Sequence, residues 1–201
     1  MVPGRLPRLL FLDASVLYPA SIRNLLVGLA LKDLVRLRWS ERVQEEWIAN
    51  LLRNRPDLEE KRLRQLALQI TGALESQEPL VVGYENFIPL IDLPDVNDRH
   101  VVAAAVAGKA EAILTFNLKD FPQSVLEAWD LVAYNPDEYL MELLGELIRE
   151  KGVPHELLDV LKSQRAHLKN PPLGPDEFLN SLERSGLKAL VQALRNFRNA
   201  L

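Results

Sequence analysis

Short apolar runs alternate with helix-period segments up to about Pro136 and then stop, and this pattern limits the chain to one kind of fold. LPRLLFLDAS reads as a buried first strand, followed by the turn YPAS and a helix over about 21–34. LVRLRWS alternates as a second strand. Ser40 is then an N-cap for a helix from Glu41 to Asn54, with Val43, Trp47, Ile48 and Leu51 on one face. Pro56-Asp57 breaks the chain and opens a third helix to about Leu74, and PLVVGY is a further strand. The helix in VNDRHVVAAAVAG has small side chains that let it lie close to a sheet, and Gly108 ends it as a C′ residue. EAILTFN and WDLVAYNP supply the last strands. Such alternation predicts a parallel sheet covered on both faces.

Beyond Pro136 only helical patterns follow: DEYLMELLGELIREKG, HELLDVLKSQRAH, PDEFLNSLERSG and LKALVQALRNFR. NPPLGP at 170–175 is read as a hinge between two pairs of helices. The expected division is an α/β domain over 1–138 and an all-helical extension over 139–201.

The 201 residues are 48% hydrophobic, enough for a sizeable core. No apolar run approaches the roughly 18 residues of a membrane span, so none is expected. The apolar run of MVPGRLPRLLFLD is cut short by Asp13 and lacks a small-residue cleavage site, which favours an opening strand over a signal peptide. Cysteine is absent, which excludes disulfides, thiolate catalysis and cysteine–zinc sites and suits the cytoplasm. Net charge is −4, whereas a nucleic-acid binder is usually basic. Residues 1–64 nevertheless hold 12 of the 24 Lys+Arg and 8 of the 28 Asp+Glu, a local surplus of +4. A phosphate-facing patch is therefore expected from the first third. Trp39, Trp47 and Trp129 lie in apolar patterns that read as core, not as a base-stacking strip. No glycine-rich phosphate loop is present, which argues against a nucleotide-binding Rossmann enzyme.

Four acidic residues, Asp13, Glu46, Asp98 and Asp120, fall at strand ends or on helices flanking them. Asp13 ends the first apolar run, and an Asx-turn or N-cap explains it as well as a metal site does. Glu46 borders the apolar face of its helix, with Glu45 an open alternative. Asp95 and Asp98 fit an N-cap and N3 pair at a helix start. Asn117 and Asp120 flank a turn that local hydrogen bonds explain. His100 is expected to face solvent or a neighbour and is given no metal role. Taken together, the carboxylates gather on one edge of one sheet. Carboxylates held close together repel unless a cation neutralises them, so the group implies Mg²⁺ or Mn²⁺.

These segments resemble PIN-domain nucleases, in particular the VapC-like ribonuclease toxins of toxin–antitoxin pairs, in a subgroup with a helical C-terminal extension. FLDASVLYP resembles the family's first motif and carries its first aspartate onto Asp13. SERVQEEW resembles the helix that places a glutamate on Glu46. LPDVNDRHVVAAAVAGKAEAILTFNLKDF is the most specific match. It carries the third acidic position onto Asp98 with Asp95 beside it, and the fourth onto Asp120, with Thr115 and Asn117 in support. The resemblance implies a Rossmann-like three-layer α/β/α sandwich with a central parallel sheet. It also implies a site holding Mg²⁺ or Mn²⁺ on Asp13, Glu46, Asp98 and Asp120, an RNA substrate, a small antitoxin partner and a homodimer. The alternatives are a catalytically weak binding or scaffold module, and a DNA- or RNA-processing nuclease outside toxin–antitoxin systems.

Overall fold

A computed structural model describes residues 5–169 and 171–201. The start of the N-terminal segment and Asn170 of the expected hinge lie outside them. β1 (Leu9–Leu12) opens the fold with Leu10, Phe11 and Leu12 wholly buried. A single turn of helix, α1 (Ala14–Leu17), follows and leads into α2 (Ala20–Leu31). The predicted helix to 34 stops at Leu31 because Asp33 turns left-handed (φ 56°) and the Leu34 N–H closes back on Leu29 C=O at 3.1 Å. β2 (Arg36–Ser40) then runs to Ser40, whose hydroxyl accepts from the Val43 N–H at 3.2 Å and caps α3 (Glu41–Asn54) as expected.

α4 (Glu60–Ala73) starts later than Pro56-Asp57 suggested. Arg55 clasps both Asp57 carboxylate oxygens, at 2.8 and 2.6 Å, so that aspartate is not free to cap. β3 is only Leu80–Val81. Two 3-10 turns, Glu85–Leu90 and Val96–Asp98, lead into α5 (Arg99–Ala107). Gly108 closes α5 at φ −76°, not as a left-handed C′ residue; Lys109 takes that conformation (φ 53°). The glycine is needed because a Cβ there would stand 2.7 Å from Val81 Cγ2.

β4 (Ala112–Leu114), a 3-10 turn over Leu118–Asp120, α6 (Gln123–Leu126) and β5 (Val132–Tyr134) complete the α/β part. All five strands are parallel, in the order β3-β2-β1-β4-β5. Leu10 pairs with Leu37 on one side and Ala112 on the other. With helices on either side this is the expected three-layer α/β/α sandwich. Trp39 and Trp47 are core, but Trp129 is only half-buried, edge-on to Phe87 at 6.3 Å between ring centroids.

The extension comprises α7 (Pro136–Lys151), α8 (His155–His167), α9 (Pro175–Arg184) and α10 (Lys188–Leu194), with a final 3-10 turn over Arg195–Ala200. It packs against the α/β part at several points. Asp137, in the first turn of α7, accepts from the Ala189 and Leu190 N–H groups at 2.8 and 2.9 Å, so one helix start caps another. α8 crosses α2 where Gly28 faces Val160, at a distance that leaves no room for a Cβ.

Candidate active site

From β1 the chain moves outward to β2, and from β4 it moves the opposite way to β5. A crevice therefore opens beyond the carboxyl ends of this adjacent pair, where ligands of open α/β sheets bind. Asp13 stands there. It is 8% exposed, and its N–H extends the ladder to Leu114 C=O at 3.1 Å. Its Oδ1 accepts from the Ala14 N–H at 2.7 Å; its Oδ2 accepts from Ser15 Oγ at 2.6 Å and Thr115 Oγ1 at 2.9 Å. Asp13 is thus the N-cap the sequence allowed and also a carboxylate fixed at the crevice.

Thr115 is fully buried just after β4 and accepts the Asn117 N–H at 3.0 Å while donating to Asp13. Ser15, the hydroxyl two positions after Asp13, belongs to the same network although it has no place among the candidate site residues read from the sequence. It donates to Asp13 and accepts the Phe116 N–H at 3.1 Å, tying the two strand ends together. Asn117 joins this network through its backbone and stays exposed; the 3-10 turn after it carries Asp120, which is half-buried.

Asp95 and Asp98 separate in role. Asp95 caps the turn over Val96–Asp98 by accepting from the Asn97 N–H at 2.8 Å. Asp98 occupies the N-cap position of α5, yet its side chain makes no capping bond. Burial first, and then the negative charges of Asp13, Asp95 and Asp120, push its carboxyl up to about 6. The other three carboxylates are therefore near enough for their charges to bear on Asp98.

Glu46 reaches toward the start of α5 from α3. Its Oε1 lies 3.0 Å from His100 Nε2 and 3.2 Å from Arg42 Nε. Burial favours its protonated form, but the hydrogen bonds and charges of His100 and Arg42 outweigh this and hold it below the usual glutamate range. Glu45 turns away to Arg64 of α4, so Glu46 is the glutamate that faces α5. His100 takes the second of its two expected settings and faces a neighbour. It is 2% exposed because α5 packs its first turn against the Glu46 face of α3. Among the described residues, the Nδ1 of His100 is buried without a partner.

Among the described residues, no three His, Asp or Glu side chains converge into a closed metal cage. An all-oxygen set of spaced, mutually repelling aspartates still suits a hard cation. Mg²⁺ keeps several of its waters and takes only one or two protein carboxylates.

The cations of the first third divide: Arg5, Lys32, Arg36, Arg53 and Lys61 are exposed and, among the described residues, pair with no carboxylate, whereas the others are engaged. Arg42, Arg55, Arg62 and Arg64 are paired with carboxylates, as is Arg8 with Glu146. Arg38 is buried against Gln77 C=O. Arg23 is buried over the Trp47 ring, 4.7 Å from its centroid, and donates to Leu17 C=O; burial lowers its pKa to about 10.

Residues 10–119 match the profile described as PIN domain, which is more than half of the chain, and the chain belongs to that family. Residues 136–196 match a second profile, VapC50 C-terminal domain. Over 115 residues the chain is 38% identical to the Mycobacterium tuberculosis (strain ATCC 25618 / H37Rv) protein described as "Putative ribonuclease VapC50". That stretch covers 57% of this chain and 64% of the relative, so the chain spans less than two thirds of the relative's length. No solved structure matches the chain with significance.

Proposed function

We propose that this chain is a metal-dependent endoribonuclease and the toxin of a toxin–antitoxin pair. The observation that carries this reading is the uncapped Asp98 carboxylate, set among Asp13, Asp95 and Asp120 at the crevice of a PIN-family sheet. The relative's description as a ribonuclease supports it.

Asp13, Asp98, Glu46 and Asp120 would hold Mg²⁺ or Mn²⁺. Such an ion would supply charge neutralisation and an activated water for attack on a phosphodiester. The chain's own residues do the rest. Ser15 and Thr115 fix the orientation of Asp13. His100 and Arg42 keep Glu46 ionised. Asp95 and Asn117 hold the turns that present Asp98 and Asp120. On this reading residues 1–138 carry the chemistry and 139–201 form the extension. A nuclease of this kind would harm its own cell, so a small antitoxin blocking the crevice is the partner. The protein acts in the cytoplasm as a homodimer. No described helix is long and apolar enough to cross a membrane.

One observation favours the binding-module alternative, namely that no closed cage of three ligands stands assembled among the described residues. The deciding experiment is incubation of a mixed RNA pool, and separately of single-stranded DNA, with the purified chain in Mg²⁺, Mn²⁺ or EDTA, beside Asp98→Asn. Metal-dependent RNA cutting that disappears in the variant supports the nuclease. A folded, partner-free protein that cuts nothing under any metal supports the binding module.

A further inference from the structure

We propose that the Ser185–Gly186 turn between α9 and α10 forms a wall of the RNA-binding crevice, where the flanking Arg184 and Lys188 hold the phosphate backbone of a single strand. The proposal rests on the nuclease reading above and adds the part of the substrate site that the extension contributes.

The turn meets the catalytic end of the sheet directly. Ser21 Oγ at the start of α2 donates to Ser185 Oγ at 2.6 Å. Gly186 takes φ +109°, and a Cβ on it would stand 2.9 Å from Phe116 Cε1 and 3.1 Å from Cζ. Only glycine allows both that backbone conformation and that approach. Phe116 in turn directly follows Thr115, and its N–H is held by the same Ser15 hydroxyl that donates to Asp13. Gly186 is therefore linked to the Asp13 carboxylate by contacts through Phe116 and Ser15 alone, although 173 positions separate the two in sequence.

Charge selects the occupant. The chain carries −4 overall, so a polyanion needs a local cationic surface to approach a carboxylate crevice. Two first-third arginines of the elements around the site do not offer one, since Arg23 is buried over Trp47 and Arg42 is paired with Glu46. Within the extension, Arg195 is tied to Glu183 and Arg198 to Asp176. Arg184 and Lys188 are exposed and, among the described residues, pair with no carboxylate. They stand on either side of the turn that touches Phe116. The amides at the start of α10 are already taken by Asp137, so the side chains, not the helix end, make the contact.

The test measures binding of a short fluorescein-labelled single-stranded RNA to the full chain by anisotropy over a range of salt, in an Asp98→Asn background that prevents cutting. Adding Arg184→Ala and Lys188→Ala together should weaken binding several-fold and flatten the slope of log affinity against log salt by about 0.7 per lost phosphate contact. Arg195→Ala with Arg198→Ala serves as the control for general charge loss and should leave the slope unchanged. Equal losses in both double variants, or an unchanged slope in the first, would overturn the proposal even where the unsubstituted chain cuts RNA. A chain that neither binds nor cuts RNA would overturn the nuclease reading itself, and this proposal with it. Unchanged melting of the Arg184→Ala/Lys188→Ala protein shows that a loss of binding is not a loss of fold.

Discussion

Thr115 Oγ1 donates to Asp13 Oδ2 at 2.9 Å across the gap between two strand ends 102 positions apart in sequence. The bond is buried and shared, since the same hydroxyl accepts the Asn117 N–H. Thr115→Val keeps the shape and removes both functions. The expected result is a loss of about 1–3 kcal/mol of stability from the stranded buried groups. RNA cleavage should fall by an order of magnitude or more as Asp13 loosens. Denaturant titration and a cleavage assay on the same preparation check it; unchanged cleavage would mean that Ser15 alone orients the carboxylate.

Asp13 and Asp98 should respond differently to the same substitution. Asp13 receives three hydrogen bonds, so Asp13→Asn disrupts a satisfied cap and should cost about 1–2 kcal/mol. Asp98 caps nothing and is repelled by its neighbours, so Asp98→Asn should raise stability at neutral pH by about 1 kcal/mol, after allowance for partial solvent screening. Both should abolish cleavage. Paired thermal melts decide; an Asp98→Asn protein less stable than its parent would mean that the carboxylate is structural.

The raised pKa of Asp98 also gives stability a definite slope with pH. The folded chain retains a proton at Asp98 up to about pH 6, whereas the unfolded carboxyl releases it near 3.8. The unfolded state therefore binds fewer protons between those values, and metal-free stability should fall as pH rises through that window. Asp98→Asn should remove this component. Added Mg²⁺ should restore stability above pH 6 in the parent and less so in the variant, measured as shifts in melting temperature.

His100→Leu and His100→Gln should separate shape from hydrogen bonding. Leucine leaves the partly buried Glu46 without its imidazole donor, and cleavage should drop about tenfold. Glutamine can donate from a similar position and should recover part of the loss. Equal activity in both variants would leave Arg42 as the group that holds Glu46.

Two glycines provide a stability contrast. Gly186→Ala forces a side chain into φ +109° against Phe116 and should cost about 1–3 kcal/mol. Gly72 lies in α4 with nothing within 4 Å of where an added methyl would stand, and Gly72→Ala should stabilise by about 0.4–1 kcal/mol. Chemical denaturation of the two variants side by side checks both signs.

Locally encoded features were the legible ones. α3 could be read to its ends because Ser40 caps it and Val43, Trp47 and Ile48 recur on one face. The parallel sheet followed from the alternation of runs such as LLFL and AIL with helical segments. α1 escaped because four residues are too few for a period to show; it exists because Asp13 caps it. Gly108 ends α5 as read, but the need for glycine there, the approach of Val81, depends on a strand 27 positions away. His100 and Ser15 have the same cause. Their burial or bonding comes from α3 and β4, which no local pattern reveals. Asp95 was legible as the N-cap, but that Asp98 makes no capping bond of its own needed three dimensions, since Asp-x-x-Asp fits a plain helix start.

The contact of α2 with Val160 at Gly28 makes the α/β part and the extension hard to separate. Where Val160 of α8 presses onto that glycine, the outer surface of the α/β part is a seat already shaped for the extension. A protein ending at residue 138 would turn Val27 toward water beside an empty notch. Such a fragment would self-associate before it served as an independent α/β domain. Recombination between relatives of this type should therefore exchange α2 and the extension together, as one inherited block.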